Sequence, residues 1–402
     1  ASIALEVRAF DLAALDGDGI TDLVGTSNLD TLGVNWLRGR GDATFEAPRS
    51  LLRGTGWRGV AAGDLDGDGR TDVAAVTEDS TLLLLRNEGG MRFERQASLE
   101  LGGEVLSIGV TPFGASSPTR VTVASVVGGE TGYAYPLTTV RYDSGSWRLV
   151  SERAGSSPAH DQSFGQLNGD GLPDWIGLCD GCAGASIALG EPGAGFGEPT
   201  DVVCPTFTNG MPGAGDLDGD GLDDLVVPGR SSSWSLPRVE IHYSRPDGTR
   251  ENRIRLTVPG GHVDQVRVAD FDGDGLRDLA VFAGPRWGSG NTTLHVIRNR
   301  GGRRFDAITH WPGNEWAGAL FAAQLDGTPA KELVSLNGLT FGVSPYGADG
   351  MMDSPRFLHA VPSDGSSSGP GPVFFRDLNR DSFDDLVMGT GQSFLVSLAP
   401  GD

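Results

Sequence analysis

The sequence predicts an all-β protein, a single β-propeller of four-stranded blades. Three observations predict this class. An acidic segment recurs along the chain, neighbouring copies are about 50 to 54 residues apart, and the apolar residues alternate or run for four to six instead of following a helical period. Repeats of about 40 to 50 residues with four strands each are typical of propellers, because one small sheet cannot bury its faces alone.

The recurring segment reads Asp-x-Asp-Gly-Asp-Gly-x-x-Asp and is followed by an apolar run. Complete copies begin at Asp64, Asp216 and Asp270, and looser copies begin at Ala14, Gln166, Gln324 and Asp377. The gap between Asp64 and Gln166 is twice as long, and the segment VLSIGVTPFGASSPTRVTVASV fills it with strands but no acids. We therefore predict one domain over residues 1–402 with eight repeats, whose loops lie near positions 14, 64, 112, 166, 216, 270, 324 and 377.

Each repeat reads as four short strands separated by turn residues. In the second repeat these are RGVAAGDL, DVAAVT, TLLLLRN and RFERQASLEL, which are rich in apolar and β-branched residues. The eighth repeat stops after its third strand, and by the repeat spacing only residues 1–4 are available at the N-terminus to supply a fourth. We expect eight blades, and seven if one terminal repeat is incomplete.

The acidic loop between the first and second strands predicts divalent cation sites. Numbering the loop from 1 to 9, side-chain oxygens at positions 1, 3, 5 and 9 and the carbonyl of position 7 can surround one hard cation, and the glycines at 4 and 6 allow the turn. Four carboxylates held together repel one another unless a cation neutralises them, so repetition of the loop favours calcium over a simple polar turn. The three complete ligand sets are Asp64, Asp66, Asp68, Arg70 and Asp72; Asp216, Asp218, Asp220, Leu222 and Asp224; and Asp270, Asp272, Asp274, Leu276 and Asp278.

Three further loops keep part of the ligand set, and we expect them to bind calcium more weakly. Their ligands are Asp16, Asp18 and Asp22; Asn168, Asp170 and Asp174; and Asp377, Asn379, Asp381 and Asp385. The first has Ala14 at position 1, and the last has Arg380 and Ser382 in place of the glycines. The loop that begins at Gln324 has Thr328 and Ala330 between its two acids and is expected to bind nothing.

The composition excludes nucleic acid as a partner. There are 53 Asp and Glu residues against 31 Lys and Arg, which gives a net charge of −22, whereas phosphate backbones are bound by clustered basic residues. Lys331 is the single lysine among those 31, a bias that hints at a GC-rich bacterial genome. The chain contains no apolar run long enough to span a membrane, so we expect no membrane insertion.

The acidic repeats resemble the FG-GAP/VCBS family, the integrin α-like calcium-binding propellers. The resemblance covers nearly the whole chain and rests on segments such as GDLDGDGRTDVAAV and GDLDGDGLDDLVVP. It implies that each loop joins the innermost strand of a blade to the next strand. It also implies a secreted or cell-surface protein that acts in recognition or adhesion, and some members of the family are lectins.

We place a ligand site on the face opposite the calcium loops, where a glycan or an extracellular protein would bind. Aromatic and basic residues fall in the connections expected there. They are candidates because exposed Trp and Arg anchor partners and flat rings stack on sugars. The candidates are Trp57, Trp234, His262, Arg286, Trp287, Trp311 and Trp316. The alternative for each Trp is that it packs between blades.

Three other interpretations remain open at the level of sequence. Rhamnogalacturonan lyases resemble this chain in using eight-bladed propellers with acidic calcium loops, so a polysaccharide-active enzyme is one alternative to a recognition module. A scaffold module of a larger surface protein is another. Cys179, Cys182 and Cys204 are the only cysteines, and a disulfide between the first two is favoured over a redox or zinc site.

Overall fold

A computed structural model gives the fold. It describes residues 2–4, 9–27, 33–113, 119–129, 132–143, 145–155, 158–159, 161–178, 184–203, 211–229, 238–251, 254–259, 262–284, 293–306, 309–312, 319–337, 340–344, 356–360, 372–389 and 393–399. Regular structure in these residues is entirely β. No helix long and apolar enough to cross a membrane occurs within them.

The first half of the chain contains seventeen of the strands in order. They are β1 (Ser2–Ala4), β2 (Phe10–Ala13), β3 (Asp22–Thr26), β4 (Val34–Leu37), β5 (Arg49–Leu52), β6 (Trp57–Gly63), β7 (Asp72–Thr77), β8 (Thr81–Gly89), β9 (Arg92–Glu100), β10 (Glu104–Pro112), β11 (Thr119–Gly129), β12 (Gly132–Asp143), β13 (Ser146–Gly155), β14 (Asp161–Gly165), β15 (Asp174–Leu178), β16 (Gly184–Ala188) and β17 (Gly190–Glu191).

The second half continues the same pattern. Its strands are β18 (Gly195–Phe196), β19 (Thr200–Val203), β20 (Gly213–Gly215), β21 (Asp224–Gly229), β22 (Arg238–His242), β23 (Ile254–Thr257), β24 (His262–Ala269), β25 (Asp278–Gly284), β26 (Thr293–Ile297), β27 (Thr309–Pro312), β28 (Ala319–Ala323), β29 (Glu332–Asn337), β30 (Thr340–Ser344), β31 (Arg356–Ala360), β32 (Val373–Arg376), β33 (Asp385–Gly389) and β34 (Ser393–Ser397).

These strands form eight four-stranded antiparallel sheets in the described residues, so the fold is a β-propeller of eight blades and the seven-bladed alternative is wrong. Blades 1, 2 and 3 are β2–β5, β6–β9 and β10–β13. Blade 4 is β14, β15, β16 and β19, with the small hairpin β17–β18 inserted before its last strand. Blades 5, 6 and 7 are β20–β23, β24–β27 and β28–β31.

Blade 8 combines the two ends of the chain. Strands β32, β33 and β34 pair in order, and β1 adds beside β34 with Ser2 opposite Leu395 and Ala4 opposite Ser393. Residues 2–4 therefore supply the fourth strand that the last repeat is predicted to lack. Phe10 and Leu12 of blade 1 share an apolar cluster with Val387 and Val396 of blade 8.

The chain forms two compact units. Ala1–Gln162, Gly190–Pro199 and Asp364–Asp402 form the first, which holds blades 1, 2, 3 and 8 and the β17–β18 hairpin. Ser163–Leu189 and Thr200–Ser363 form the second, which holds the strands of blades 5, 6 and 7 and nearly all of blade 4. The prediction of a single domain over residues 1–402 stays a prediction.

Neighbouring blades within each unit bury apolar faces against each other. In the first unit, Val24 and Trp36 of blade 1 pack with Val60 and Leu83 of blade 2. In the second, Val226 and Ile241 of blade 5 pack with Val266 of blade 6. Sheet faces need such partners because a lone four-stranded sheet leaves one apolar face in water. The loops at the strand ends are thereby held on a rigid scaffold.

Candidate metal sites

Position 9 of each acidic loop begins the second strand of its blade and is fully buried. The carboxylates of Asp72, Asp224 and Asp278 each accept hydrogen bonds at both oxygens from two separate backbone N–H groups. One donor is position 2 of the same loop, such as Leu65 at 3.0 Å, and the other lies near the end of the third strand, such as Asn87 of β8 at 2.8 Å. This carboxylate therefore ties the loop to the end of the third strand.

Position 1 shapes the loop itself. Both oxygens of Asp64 accept N–H bonds from the two turn glycines, Gly67 at 2.8 Å and Gly69 at 3.0 Å. These glycines have φ values of 80° and 86°, which a side chain with a Cβ disfavours. The same two bonds recur at Asp216 and Asp270. The Asp-x-x-Gly-x-Gly spacing is thus explained by local geometry.

Three groups of carboxylates could hold a metal ion, and they belong to the three complete loops. In blades 2, 5 and 6, ligand oxygens of positions 1, 3 and 9 lie within 4.8 Å of one another. The groups are Asp64, Asp66 and Asp72; Asp216, Asp218 and Asp224; and Asp270, Asp272 and Asp278. An all-oxygen set of this kind fits a hard cation such as calcium and not zinc or copper.

Position 5 lies outside these groups. The Oδ1 atoms of Asp68, Asp220 and Asp274 instead accept the N–H of position 7, at 2.9 Å in each loop. These bonds close a local turn and leave the second oxygen of each carboxylate for other partners. The partial loops of blades 1, 4 and 8 form no comparable group among the described residues.

The three carboxylate groups are electrostatically unfavourable without a cation. Burial first, together with the neighbouring carboxylates, raises the pKa of Asp72, Asp224 and Asp278 to about 7, although the backbone hydrogen bonds lower it. A bound divalent cation would favour the ionised form of each group. The donor set, its spacing and this mutual repulsion together fit a calcium ion.

Arginine side chains neutralise part of this charge. Arg86 lies 2.5 Å from Asp66 and also contacts Asp68 in blade 2. Arg303 contacts Asp218 at 2.8 Å in blade 5, whereas Arg298 lies 3.9 Å from Asp272 in blade 6. A cation would share these carboxylates with arginine in blades 2 and 5 more than in blade 6.

The loops with glutamine at position 1 are closed by their own amide. Gln166 Nε2 donates to the carbonyl of Leu172 at 2.8 Å, which is the position 7 carbonyl that a cation would need. Gln324 Nε2 donates in the same way to the carbonyl of Thr328. Glutamine thus replaces the acceptor at position 1 with an N–H donor. The hydrogen bond from this amide closes the loop, as a bound ion would.

Blade 8 keeps the loop without its glycines. Arg380 and Ser382 have φ values of 65° and 75°, and their N–H groups still bond both oxygens of Asp377 at 2.6 and 2.9 Å. Non-glycine residues in this region cost on the order of 1 kcal/mol each. Asp377 therefore imposes the loop geometry on residues that disfavour it.

Comparison with known proteins identifies the repeat. A profile described as the FG-GAP-like repeat matches residues 15–75 and 216–281, which include the complete loops of blades 2, 5 and 6. The chain therefore carries FG-GAP-like repeats in two regions of its β-propeller fold. No curated protein is significantly similar in sequence to this FG-GAP propeller.

Solved structures resemble this FG-GAP propeller in fold. The Bacillus licheniformis rhamnogalacturonan lyase PL11 aligns with a TM-score of 0.59 at 13% identity, over 99% of this chain and 72% of the lyase. Chaetomium thermophilum Sqt1 aligns with a TM-score of 0.59 at 11% identity, over 98% and 96%. An Agrocybe aegerita lectin that recognises terminal N-acetylglucosamine aligns with a TM-score of 0.43 at 21% identity, over 76% and 80%.

The predicted ligand residues of the FG-GAP propeller are only partly placed. Trp57 packs between blades 1 and 2, is 4% exposed, and donates its indole N–H to the carbonyl of Gly54 at 2.9 Å. Its ring is therefore part of the core and offers little surface to a ligand. The backbone of His262 starts β24 and that of Trp311 lies in β27. Trp234, Arg286, Trp287, Trp316 and the three cysteines lie outside the described residues.

Sequence reasoning missed what replaces the acids in blade 3. Thr111 opposes Arg120 in blade 3 as Gly63 opposes Asp72 in blade 2, and the next pair toward the loop is Pro112 opposite Thr119. Arg120 therefore occupies the place of Asp72, because it lies eight residues after Pro112 as Asp72 lies eight residues after Asp64. Arg120 could have been found in the sequence by counting residues along the strand register instead of searching for acids.

Proposed function

We propose that this FG-GAP propeller is a calcium-stabilised recognition module. The observation that carries the proposal is the repetition of one carboxylate geometry in three blades, each with a buried position 9 acid beside two further acids. One such cluster could be a polar turn, but three clusters with the same spacing favour a common ligand. Calcium suits an all-oxygen site that wraps one loop.

The residues proposed to hold calcium are those of the complete loops. They are Asp64, Asp66, Asp68, Arg70 through its carbonyl, and Asp72, with the equivalent residues from Asp216 to Asp224 and from Asp270 to Asp278. The ion would supply positive charge that links the loop to the buried acid of the second strand. Weaker sites are proposed in blades 1, 4 and 8.

The recognition surface is proposed at the strand ends opposite the calcium loops. In blade 6 the loop side is marked by Ala269 opposite Asp278, and the other end of the same strand pair is marked by His262 opposite Gly284. Trp311 lies in β27, one residue before Pro312, which opposes Thr293 at the start of β26. Arg286 and Trp287 follow Gly284 in sequence. The backbones of His262 and Trp311 thus lie toward the same end of blade 6, which supports the proposal.

A glycan or an extracellular protein is the proposed partner, and a secreted or cell-surface location is proposed with it. Aromatic rings and arginine near one another suit sugar faces and protein hot spots. The likeness to rhamnogalacturonan lyases concerns the fold, so an enzyme is a separate possibility. Rising absorbance on incubation with pectic substrates would favour a lyase over our proposal.

Calcium dependence is the first test. We expect chelator-treated protein to gain at least 10 °C in Tm when calcium is added, because three sites at 100 times Kd would stabilise the fold by about 8 kcal/mol. Isothermal titration should show three or more sites. A gain of only 1–2 °C would contradict the metal proposal.

A matched pair of variants separates metal binding from loop structure. Asp218→Asn changes position 3 of a complete loop, and Asp326→Asn changes position 3 of blade 7, where the acid makes the same bond to position 5. We expect the first variant to lose one calcium site and the second to lose none. Equal calcium binding by both variants and the unchanged protein would remove position 3 from the ligand set.

Glycan-array binding tests the proposed surface. The double variant Trp311→Ala/Trp316→Ala should lose at least tenfold in affinity for any glycan that the unchanged protein captures. Tyr133→Ala is the control, because Tyr133 is an aromatic residue of blade 3 that is 73% exposed. Unchanged binding by the double variant would place the surface elsewhere, and an array with no captured glycan would favour a protein partner or a scaffold role.

A further inference from the structure

Blade 3 buries an arginine for which the described part of the chain provides no acidic partner. Arg120 in β11 is 6% exposed, and its Nη1 atom is buried without a hydrogen-bond partner. Its guanidinium lies 3.4 Å from the ring centroid of Phe113, the residue that follows β10. A ring face compensates part of the lost hydration of an arginine. It is not a full hydrogen-bond acceptor for any of the five N–H groups.

A second arginine lies beside it. Val121 pairs with Val140 across β11 and β12, and the next step of this register places Arg120 opposite Arg141. Arg141 bonds the carbonyl of Gly193 at 2.7 Å and Asp143 at 3.1 Å, but its Nε is buried without a partner. Arg141 is partly exposed and paired with Asp143, so the charge left without an acidic partner on this face of the described residues is that of Arg120.

The charges around Arg120 do not compensate it. Burial first and the like charge of Arg141 second lower the pKa of Arg120 to about 10, and no acid is among the groups that shift it. A group with this pKa remains cationic at neutral pH. Keeping it buried is unfavourable unless an opposite charge is present.

Three hydroxyl groups adjoin the arginines on the same face of the blade. Thr122 opposes Thr139, and Thr139 opposes Ser151, so the three residues form one row across β11, β12 and β13. The hydroxyl oxygens of all three are buried without a hydrogen-bond partner. Native proteins pair nearly all buried polar atoms, so several orphans in one place call for a ligand or water.

The hairpin β17–β18 covers this face. A Cβ on Gly195 would come within 2.9 Å of Thr139 Cγ2 and 3.1 Å of Ser151 Oγ, so the hairpin backbone lies directly on the hydroxyl row. Phe196 is fully buried and packs edge-on to Phe113 at 5.1 Å between ring centroids. Arg153 bonds the carbonyl of Phe196 at 3.3 Å and holds the hairpin from the side.

Water alone would satisfy the hydroxyl groups but would leave the guanidinium charge of Arg120 uncompensated. An oxyanion supplies several acceptor oxygens together with negative charge, which matches two guanidinium groups and three hydroxyl donors. The covering hairpin limits the ligand to a small one.

We propose that blade 3 and the β17–β18 hairpin enclose a binding site for a small oxyanion of the sulfate or phosphate class. Arg120 and Arg141 bind its charge, and the hydroxyl groups of Thr122, Thr139 and Ser151 donate to its oxygens. This site is independent of the calcium loops and of the proposed recognition surface.

Thermal unfolding with added anion tests the proposal. Sodium sulfate or phosphate is titrated at constant ionic strength against chloride, in the full chain with calcium held constant. We expect a saturable rise in Tm of about 1 to 3 °C at ten times Kd, together with heat of binding in titration calorimetry. Sulfate also stabilises proteins by exclusion from their surface, but that effect does not saturate.

Variants distinguish the two effects. Arg120→Met should abolish the saturable rise and leave the Tm in chloride equal or higher, since it removes an uncompensated buried charge. Arg95→Met, which removes an exposed arginine of β9 in blade 2, should respond as the unchanged protein does. The calcium-induced shift in Tm serves as a check that each variant is folded.

Two results would overturn the proposal. One is an equal sulfate response in Arg120→Met and the unchanged protein, which would show surface exclusion alone. The other is the absence of any saturable response to both anions, which would leave water as the occupant of the site.

Discussion

The loops of blades 2 and 3 have the same length and the same place in their blades but opposite charge. In blade 2 position 9 is the buried Asp72, whose oxygens accept N–H bonds from Leu65 and Asn87. In blade 3 position 9 is Arg120, which stacks on Phe113. Position 9 is therefore a hydrogen-bonded anchor in blade 2 and a buried charge of the opposite sign in blade 3.

Blades 4 and 7 lie between these extremes and show which positions belong to the metal. Both keep an acid at position 9, Asp174 and Glu332, whose oxygen accepts the N–H of position 2 as in blade 2. Both replace the position 1 acid with glutamine and close the loop with its amide. In both loops the acid at position 1 is absent and no group of three acids forms among the described residues, whereas the acid at position 9 persists.

Removing the anchor should have the largest effect. Asp72→Ala leaves the buried N–H groups of Leu65 and Asn87 without acceptors, so we expect the free energy of unfolding in chelator to fall by about 3–5 kcal/mol. Urea unfolding measures this loss. Asp68→Ala, at the more exposed position 5, should cost about 1 kcal/mol or less without metal. A similar loss in both variants would show that position 9 is not a separate anchor.

The pH dependence of blade 7 should show the next largest effect. Burial raises the pKa of Glu332 from 4.5 to about 7. Because the folded state then binds the proton more tightly than the unfolded chain, the contribution of Glu332 to stability falls as pH rises from about 4.5 to about 7. Glu332→Gln should match the unchanged protein at pH 5 and exceed it at pH 8 by about 1–3 kcal/mol.

Urea unfolding across this pH range measures the difference. Glu100→Gln is the control, because Glu100 is exposed on β9 of blade 2 and should give a difference that does not change with pH. If the free energies of unfolding of Glu332→Gln and the unchanged protein differ by the same amount at every pH, this carboxyl is ionised at little cost.

A gain of metal binding in blade 4 should be the smallest effect. Gln166→Asp frees the carbonyl of Leu172 and restores the acid at position 1, so we expect calcium affinity of that loop to rise at least tenfold, about 1.4 kcal/mol. Calorimetry in an Asp66→Asn/Asp218→Asn/Asp272→Asn background would isolate the site. Gln324→Asp is the control, since Thr328 and Ala330 still lack ligands there. Equal gains in both loops would mean that position 1 alone decides binding.

Much of the fold and the candidate metal sites could be predicted from the repeat. Eight copies of one spacing give eight blades, and the Asp-x-Asp-Gly-Asp-Gly-x-x-Asp pattern locates the loops, because each loop is shaped by bonds between residues at most eight apart. The three groups at Asp64, Asp216 and Asp270 lie in the loops that the pattern marks as complete. Trp57 could not be assigned this way, since exposed and buried Trp look alike in sequence.

The local pattern determined the blades and the loops because short-range hydrogen bonds and apolar alternation depend on neighbouring residues. Contacts between residues far apart in sequence were decided only by the tertiary structure. Pairing of β1 with β34 completes blade 8, and Gly195 lies on Thr139 although 56 residues separate them in the numbering. The buried pair of Arg120 and Arg141 belongs to the same class, because its charge is unusual only once the sheet has placed both side chains on one face.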